Sequence, residues 1–188
     1  MSQKGDDPTE SELTTFRVTG SRRLFEGHLV NLRVDTIDVG EGRTVEREIV
    51  EHPGSIVAVP IDDQDRVLLV RQYRHPAGQQ LLELPAGGLE PGEDPEAAAR
   101  RELREEIGFS PGIIEHLGGF YTAPGFLTEF LHLFIARDLT PDPLEGDWDE
   151  DIEIVPTPLG EVRSLIEAGE IIDAKSIAGL LWVLGRSA

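Results

Sequence analysis

Three glutamates carry the first chemical hint. Glu102, Glu105 and Glu106 stand three and four residues apart in PEAAARRELREEIGF. On a helix their carboxylates therefore share one arc. Like charges at this spacing repel and weaken the helix, so a cation has to offset them. Hard oxygen donors gathered at one point suit Mg²⁺ or Mn²⁺. By itself such a cluster also reads as a solvated acidic face; the residues around it separate the two readings.

The helix that positions them has its ends marked. Asp94 is the expected N-cap, Pro95 suits the first helical position and Glu96 lies in the first turn. The helix is predicted to run to about Ile107, with Gly108 as its left-handed stop. Ala99, Leu103 and Ile107 then form one apolar stripe at about 100° per residue, which should face a core.

The longer stretch is GGLEPGEDPEAAARRELREEIGF, from Gly87 to Phe109. Five residues separate Gly87 from Glu93, and seven separate Glu93 from Arg101-Glu102-Leu103; Glu105-Glu106 and Gly108 follow at one-residue gaps. This order resembles the Nudix box of the Nudix hydrolase family. Fixed residues at about one in ten each make a chance match on the order of 10⁻⁵. Phe109 departs from the aliphatic residue more usual in the family, at a packing position.

The resemblance implies an α/β fold, an α/β/α sandwich with a mixed sheet. It also implies metal-dependent hydrolysis of a nucleoside diphosphate linked to another group. Carried over by position, Glu102 and Glu106 match the main metal ligands, with Glu105 close behind and the Ala86 carbonyl as a backbone ligand. Gly87 lets that backbone approach closely. Glu93 and Arg101 match a structural ion pair between loop and helix, and Gly108 closes the box.

Further segments resemble the ADP-ribose pyrophosphatase branch: Arg47–His52, Val70–Arg74, Leu84–Gly87, Ile177–Gly179, and Pro124 fifteen residues beyond Phe109. The likeness spans roughly residues 16–185. It implies Arg74 on the pyrophosphate, Arg47 and Glu48 near the adenine and Glu129 toward the terminal ribose. The general base would come from the acidic stretch ending Trp148-Asp149-Glu150-Asp151-Ile152-Glu153, with Glu150 first and Glu153 second. Glu105 takes that role if the stretch is only a charged connector. The expected reaction is Mg²⁺-dependent cleavage of ADP-ribose to AMP and ribose 5-phosphate. The rivals are another nucleoside diphosphate sugar such as GDP-mannose, a dinucleotide, or a non-catalytic ADP-ribose sensor. A sensor would be expected to lose box carboxylates, and all four are present.

Composition narrows the partners. A net charge of −19 argues against nucleic acid or an anionic membrane surface. Lysine occurs only at positions 4 and 175, while arginine, the better bidentate phosphate reader, is plentiful. Without cysteine there is neither a disulfide nor a thiolate metal site. No apolar run of eighteen residues and no signal-like N-terminus occur, so a soluble cytoplasmic chain is expected. His28, His52, His75, His116 and His132 lack HxxxH or HxH spacing and read as packing or surface residues. Neither GxxxxGK[ST] nor GxGxxG is present.

The expected organisation is a disordered tail over 1–13, an antiparallel sheet over 14–52 and a catalytic domain over 53–188. In the sheet, Val30, Leu32, Val34 and Thr36 alternate with polar residues, and Gly40-Glu41-Gly42 makes the turn. So small a sheet is marginal alone; the resemblance implies that it packs or exchanges across a homodimer. Beyond it, Ser55–Ile61 and Arg66–Tyr73 form a buried hairpin, followed by strands at Leu81–Leu84, Ile113–Tyr121 and Phe130–Ala136. Asp138–Glu153 holds eight acids and no Lys or Arg, a mobile solvated loop. A strand at Glu153–Val155 and helices over Pro158–Ala168 and Asp173–Leu184 complete the reading.

Overall fold

The computed structural model describes residues 16–146 and 151–186. Its chain divides into two compact units, one ending at Val50 and one beginning at Glu51.

The first unit is a three-stranded sheet of β1 (Arg17–Glu26), β2 (Asn31–Gly40) and β3 (Arg43–Glu51), in that order. β1 and β2 pair antiparallel. Glu41 and Gly42 join β2 to β3 with φ of 55° and 74°, the positive values that a two-residue hairpin turn demands. The alternation expected along β2 breaks at Val34-Asp35, where both neighbours are buried. Asp35 tolerates this because Ser21 Oγ donates to it at 2.7 Å and Arg33 Nε at 3.1 Å. Those bonds hold its pKa below the usual value against the opposing effect of burial. All of β1 is exposed, including Val18, Leu24 and Phe25.

The second unit is built around β4 (Ser55–Pro60), six residues buried throughout. Such a strand must be covered on both faces, and its alternation shows how. Ile56 and Ala58 join a core with Ala98, Ala99, Leu103 and Ile107 of the helical stretch α1 (Pro95–Glu106) and its C-cap. Val57 and Val59 join a second core with Val162 of α2 (Val162–Glu167) and with Leu180 and Val183 of α3 (Ala174–Arg186). Helices thus flank β-structure on two sides, an α/β/α sandwich.

Two sheets make up the middle. One orders β7 (Ala86–Gly88), β4, β9 (Phe130–Pro141) and β8 (Phe109–Tyr121). It is mixed: β4 runs parallel to β9 and antiparallel to β7. The other orders β10 (Glu153–Pro158), β5 (Arg66–Arg74) and β6 (Gln79–Glu83), all antiparallel.

Several boundaries differ from the sequence reading. β9 continues to Pro141 by pairing with β8 down to Phe109, so the acidic stretch begins inside a strand. Cross-strand pairing outweighs the like-charge argument there. The amides of Asp142 and Leu144 then donate to the carbonyls of Gly108 and Arg104 at 2.9 and 3.0 Å, which satisfies acceptors left open at the end of α1. The helix expected from Pro158 starts only at Val162, after a 3₁₀ turn over Leu159–Glu161. Pro158 itself closes β10 opposite Arg66.

Candidate active site

α1 is anchored as its sequence dictates. The Asp94 carboxylate accepts from the amides of Glu96 and Ala97 at 3.0 and 3.2 Å, capping the helix start. Gly108 takes φ 76° just beyond the end. The Ala99–Leu103 stripe is fully buried, which fixes the rotation of the helix and turns Glu102 and Glu106 toward β7.

Both carboxylates meet backbone there. Glu106 Oε2 accepts from the Ala86 amide at 3.0 Å. A Cβ built on Gly87 would overlap the Glu102 carboxylate, so any larger residue there would push that carboxylate away. Glu102 and Glu106 are buried at 9% and 7% exposure, unusual for glutamate.

Arg101 gathers the rest. Its Nε and Nη2 bind the two oxygens of Glu93 at 3.0 Å each, while Nη1 donates to Glu102 Oε1 at 2.7 Å and Glu105 Oε2 at 2.9 Å. Nη2 also reaches the Gly88 carbonyl at 3.2 Å. The sequence paired Arg101 with Glu93 alone; the fold makes it the counter-ion of three glutamates. The Arg101 hydrogen bonds hold the Glu93 pKa below the usual range despite burial, and the Glu93 bonds raise that of Arg101.

Three carboxylates thus share one guanidinium, an excess of two negative charges, and Glu106 on the Ala86 amide adds a third. Among the described residues no three acidic or histidine side chains stand at common ligand distance. The geometry explains this: Arg101 draws in Glu102 and Glu105, and the Ala86 amide holds Glu106. The donor set nonetheless fits a hard divalent ion, because these oxygens lie on one helical arc against the backbone of Ala86 and Gly87.

A second charged cluster adjoins this one along the chain, and only its Arg74 was anticipated. Arg74 binds Glu83 through Nε at 3.1 Å and Nη2 at 2.7 Å to Oε2, with Nε also 3.3 Å from Oε1. Lys175 Nζ donates to Glu83 Oε2 and to Asp173 Oδ2, both at 2.9 Å. Asp173 also accepts from Ser176 Oγ at 2.6 Å and the Ser176 amide at 3.0 Å, capping α3, and Ser176 Oγ accepts from the Leu84 amide at 2.7 Å. Lys175 and Glu83 are 92 residues apart, so no local pattern announces them.

The remaining candidates fall as follows. Glu129 accepts from Ser55 Oγ at 2.6 Å and Thr122 Oγ1 at 2.7 Å, with His52 Nδ1 at 3.8 Å. These bonds fasten the Pro124 loop to the start of β4. Glu153 opens β10 opposite Arg71, with an ion-pair distance of 3.4 Å, and is largely exposed. Glu150 lies outside the described residues. Arg47 and Glu48 are exposed on β3 of the first unit, where Arg47 donates to the Glu46 carbonyl at 3.1 Å. A cavity of about 800 Å³, lined by Arg66, Leu68, Phe109, Arg137, Leu139 and Ile154 among others, includes none of the candidate residues.

The NUDIX domain model matches residues 51–180, and the chain belongs to the Nudix family as a Nudix hydrolase. It is 35% identical over 169 residues to the ADP-ribose pyrophosphatase of Bacillus subtilis (strain 168), covering 89% of this chain and 91% of that protein. It is 36% identical over 165 residues to the methanol dehydrogenase activator of Bacillus methanolicus, covering 87% and 89%. Among solved structures, a crystal structure of ADP compounds hydrolase superposes with a TM-score of 0.84 at 26% identity, over 93% of this chain and 95% of that one. No helix among the described residues is long and apolar enough to cross a membrane.

Proposed function

We propose that this chain hydrolyses the pyrophosphate bond of ADP-ribose, with Mg²⁺ bound, to give AMP and ribose 5-phosphate. The observation that carries the reading is the buried Glu102–Glu106 pair set against the Ala86-Gly87 backbone, with more carboxylates than Arg101 can neutralise. Glu102, Glu106 and the Ala86 carbonyl would hold Mg²⁺, with Mn²⁺ as a substitute and Glu105 as a further ligand. The bound ion would neutralise phosphate oxygens and ease deprotonation of water.

Around that centre each side chain has a task. Glu93 and Arg101 lock the loop before α1 to the helix, so the ligand oxygens keep their register. Arg74 contacts the pyrophosphate, where a planar guanidinium suits paired phosphate oxygens. Arg47 and Glu48 read the adenine. Glu129 keeps the Pro124 loop in place, and a contact to the terminal ribose would exchange with one of its two hydroxyl donors. Water adds to phosphorus as the bridging oxygen departs, and its proton passes to Glu150; Glu153 and then Glu105 are the other carboxylates for that role.

The exposed apolar side chains of β1 support a homodimer formed through the first unit. The B. subtilis relative's name supports ADP-ribose, while the B. methanolicus relative, equally similar, carries a different name. Other nucleoside diphosphate sugars therefore belong in the test. Release of the nucleoside monophosphate (AMP from ADP-ribose, GMP from GDP-mannose) should be measured with Mg²⁺ for ADP-ribose against GDP-mannose and dinucleotides, for wild type and Glu106→Gln. Fastest cleavage of ADP-ribose, lost by about a thousandfold in the variant, is expected. Faster turnover of another substrate would overturn the ADP-ribose assignment, and ADP-ribose binding without cleavage would favour the sensor.

A further inference from the structure

We propose that Glu83 and Lys175 are positioning residues for Arg74, which is taken here as the phosphate contact of the proposed reaction. Together they fix the plane of its guanidinium, and Lys175 keeps the net charge around it from turning negative toward a diphosphate anion.

The orientation follows from the bonds. Arg74 gives two different nitrogens, Nε and Nη2, to one carboxylate. Two donors on a rigid planar group leave it little freedom to rotate. Glu83 is itself only 1% exposed and sits three residues before Ala86, so the element that leads into the box is the one that grips Arg74.

The charge argument needs Lys175. A buried carboxylate paired bidentately with a single arginine would largely cancel that arginine's charge. Lys175 Nζ lies 2.9 Å from Oε2, the oxygen that also takes Arg74 Nη2 at 2.7 Å. With Asp173 counted the four groups are neutral, whereas without Lys175 they would carry one net negative charge beside Arg74. Asp173 holds Lys175 from behind, and Ser176 links Asp173 to the Leu84 amide. Strand β5, strand β6 and the start of α3 are therefore joined in one network of two cations and two carboxylates. A lysine suits this position: its ammonium stands between the two carboxylates, 2.9 Å from each. The choice is notable in a chain whose only other lysine is Lys4.

A plain structural pin between α3 and the sheet would show the same contacts. It would lower stability on loss of Lys175 and leave substrate affinity unaltered. The discriminating experiment uses the full chain as wild type, Lys175→Met, Lys175→Arg, Arg74→Ala and the Arg74→Ala/Lys175→Met double variant. Steady-state kinetics with ADP-ribose and Mg²⁺, calorimetric binding of ADP with Mg²⁺, and thermal midpoints are recorded for each.

Lys175→Met should raise KM and weaken ADP binding about tenfold, the scale of one charge-assisted hydrogen bond, with kcat changed by less than about threefold. Lys175→Arg should recover most of that loss. On the Arg74→Ala background, Lys175→Met should add less than about twofold, since the effect passes through Arg74. Equal losses on both backgrounds, or a lowered midpoint with unchanged KM and ADP binding, overturn the proposal. If wild type cleaves no substrate, the proposed reaction fails separately, and the ADP-binding comparison still decides the role of Lys175.

Discussion

Two charged clusters lie in the same unit and obey opposite rules. Around Arg101, three glutamates share one guanidinium, and Glu106 stands beside them on the Ala86 amide. Around Glu83, two carboxylates meet two cations, and every oxygen–nitrogen pair closes on its neighbour. The first cluster carries uncompensated charge on a helix face where the repulsion weakens the fold. The second is neutral, centred on the buried Glu83 and stitched to backbone amides at Leu84 and Ser176. The unbalanced cluster fits the cation proposed for it; the balanced one holds β5, β6 and α3, and with them Arg74, in place.

That contrast can be broken at several points. The largest effect belongs to the balanced cluster. Glu83→Gln leaves Arg74 and Lys175 facing a neutral amide in a buried position, and should cost about 3 kcal/mol or more of unfolding free energy in urea titrations. A loss of under 1 kcal/mol would mean the network is hydrated and loose.

The next effect is catalytic. Gly87→Ala forces the Glu102 carboxylate from its place against the backbone. It should reduce turnover about a hundredfold, the usual result of displacing a catalytic group by an ångström. The fold should survive, since Gly87 lies in the short end strand β7 and outside both apolar cores; near-normal turnover would remove Glu102 from the metal site.

A smaller effect separates the clusters by pH. Burial disfavours the Asp173 charge, but Lys175 and the Ser176 donors outweigh it and hold the pKa below its usual 3.8. Its contribution is thus present above the unfolded value near ~3.9 and lost as pH falls through the lower folded value. Asp173→Asn should cost about 1–2 kcal/mol at pH 7. The gap between wild type and variant should narrow as pH falls below the unfolded value and through the lower folded one. A gap independent of pH would show that only the cap geometry matters.

The smallest effect tests the unbalanced cluster. In metal-free buffer, Glu105→Gln removes one of several repelling charges while Arg101 keeps two partners. Stability should shift by no more than about 0.5 kcal/mol. A large loss would make the box a structural ion network in its own right.

How much of this was readable in the chain depends on distance along it. Pro95, the Asp94 cap, the Gly108 stop and the Ala99–Leu103 stripe act within a few residues of one another, so local rules place them. The carboxylate arc follows from helical spacing alone. The hairpin turn at Glu41-Gly42 belongs to the same class, because its backbone demand is local. The acidic stretch after Asp138 was read as loop from charge, yet strand pairing with β8 across some thirty residues carries it to Pro141. A composition rule has no view of such a partner.

By itself, then, the amino-acid sequence determined the helix, its rotation, the box carboxylates and the family. Each depends on residue type at short, fixed intervals. Only the tertiary structure decided that Arg101 serves three glutamates, that Glu129 fastens a loop and that Arg74 is held by Glu83 and Lys175. Those bonds join side chains up to 92 residues apart. Long-range pairing of that kind comes from strand register and helix packing, which bring groups together without leaving any periodic trace in the order of residues.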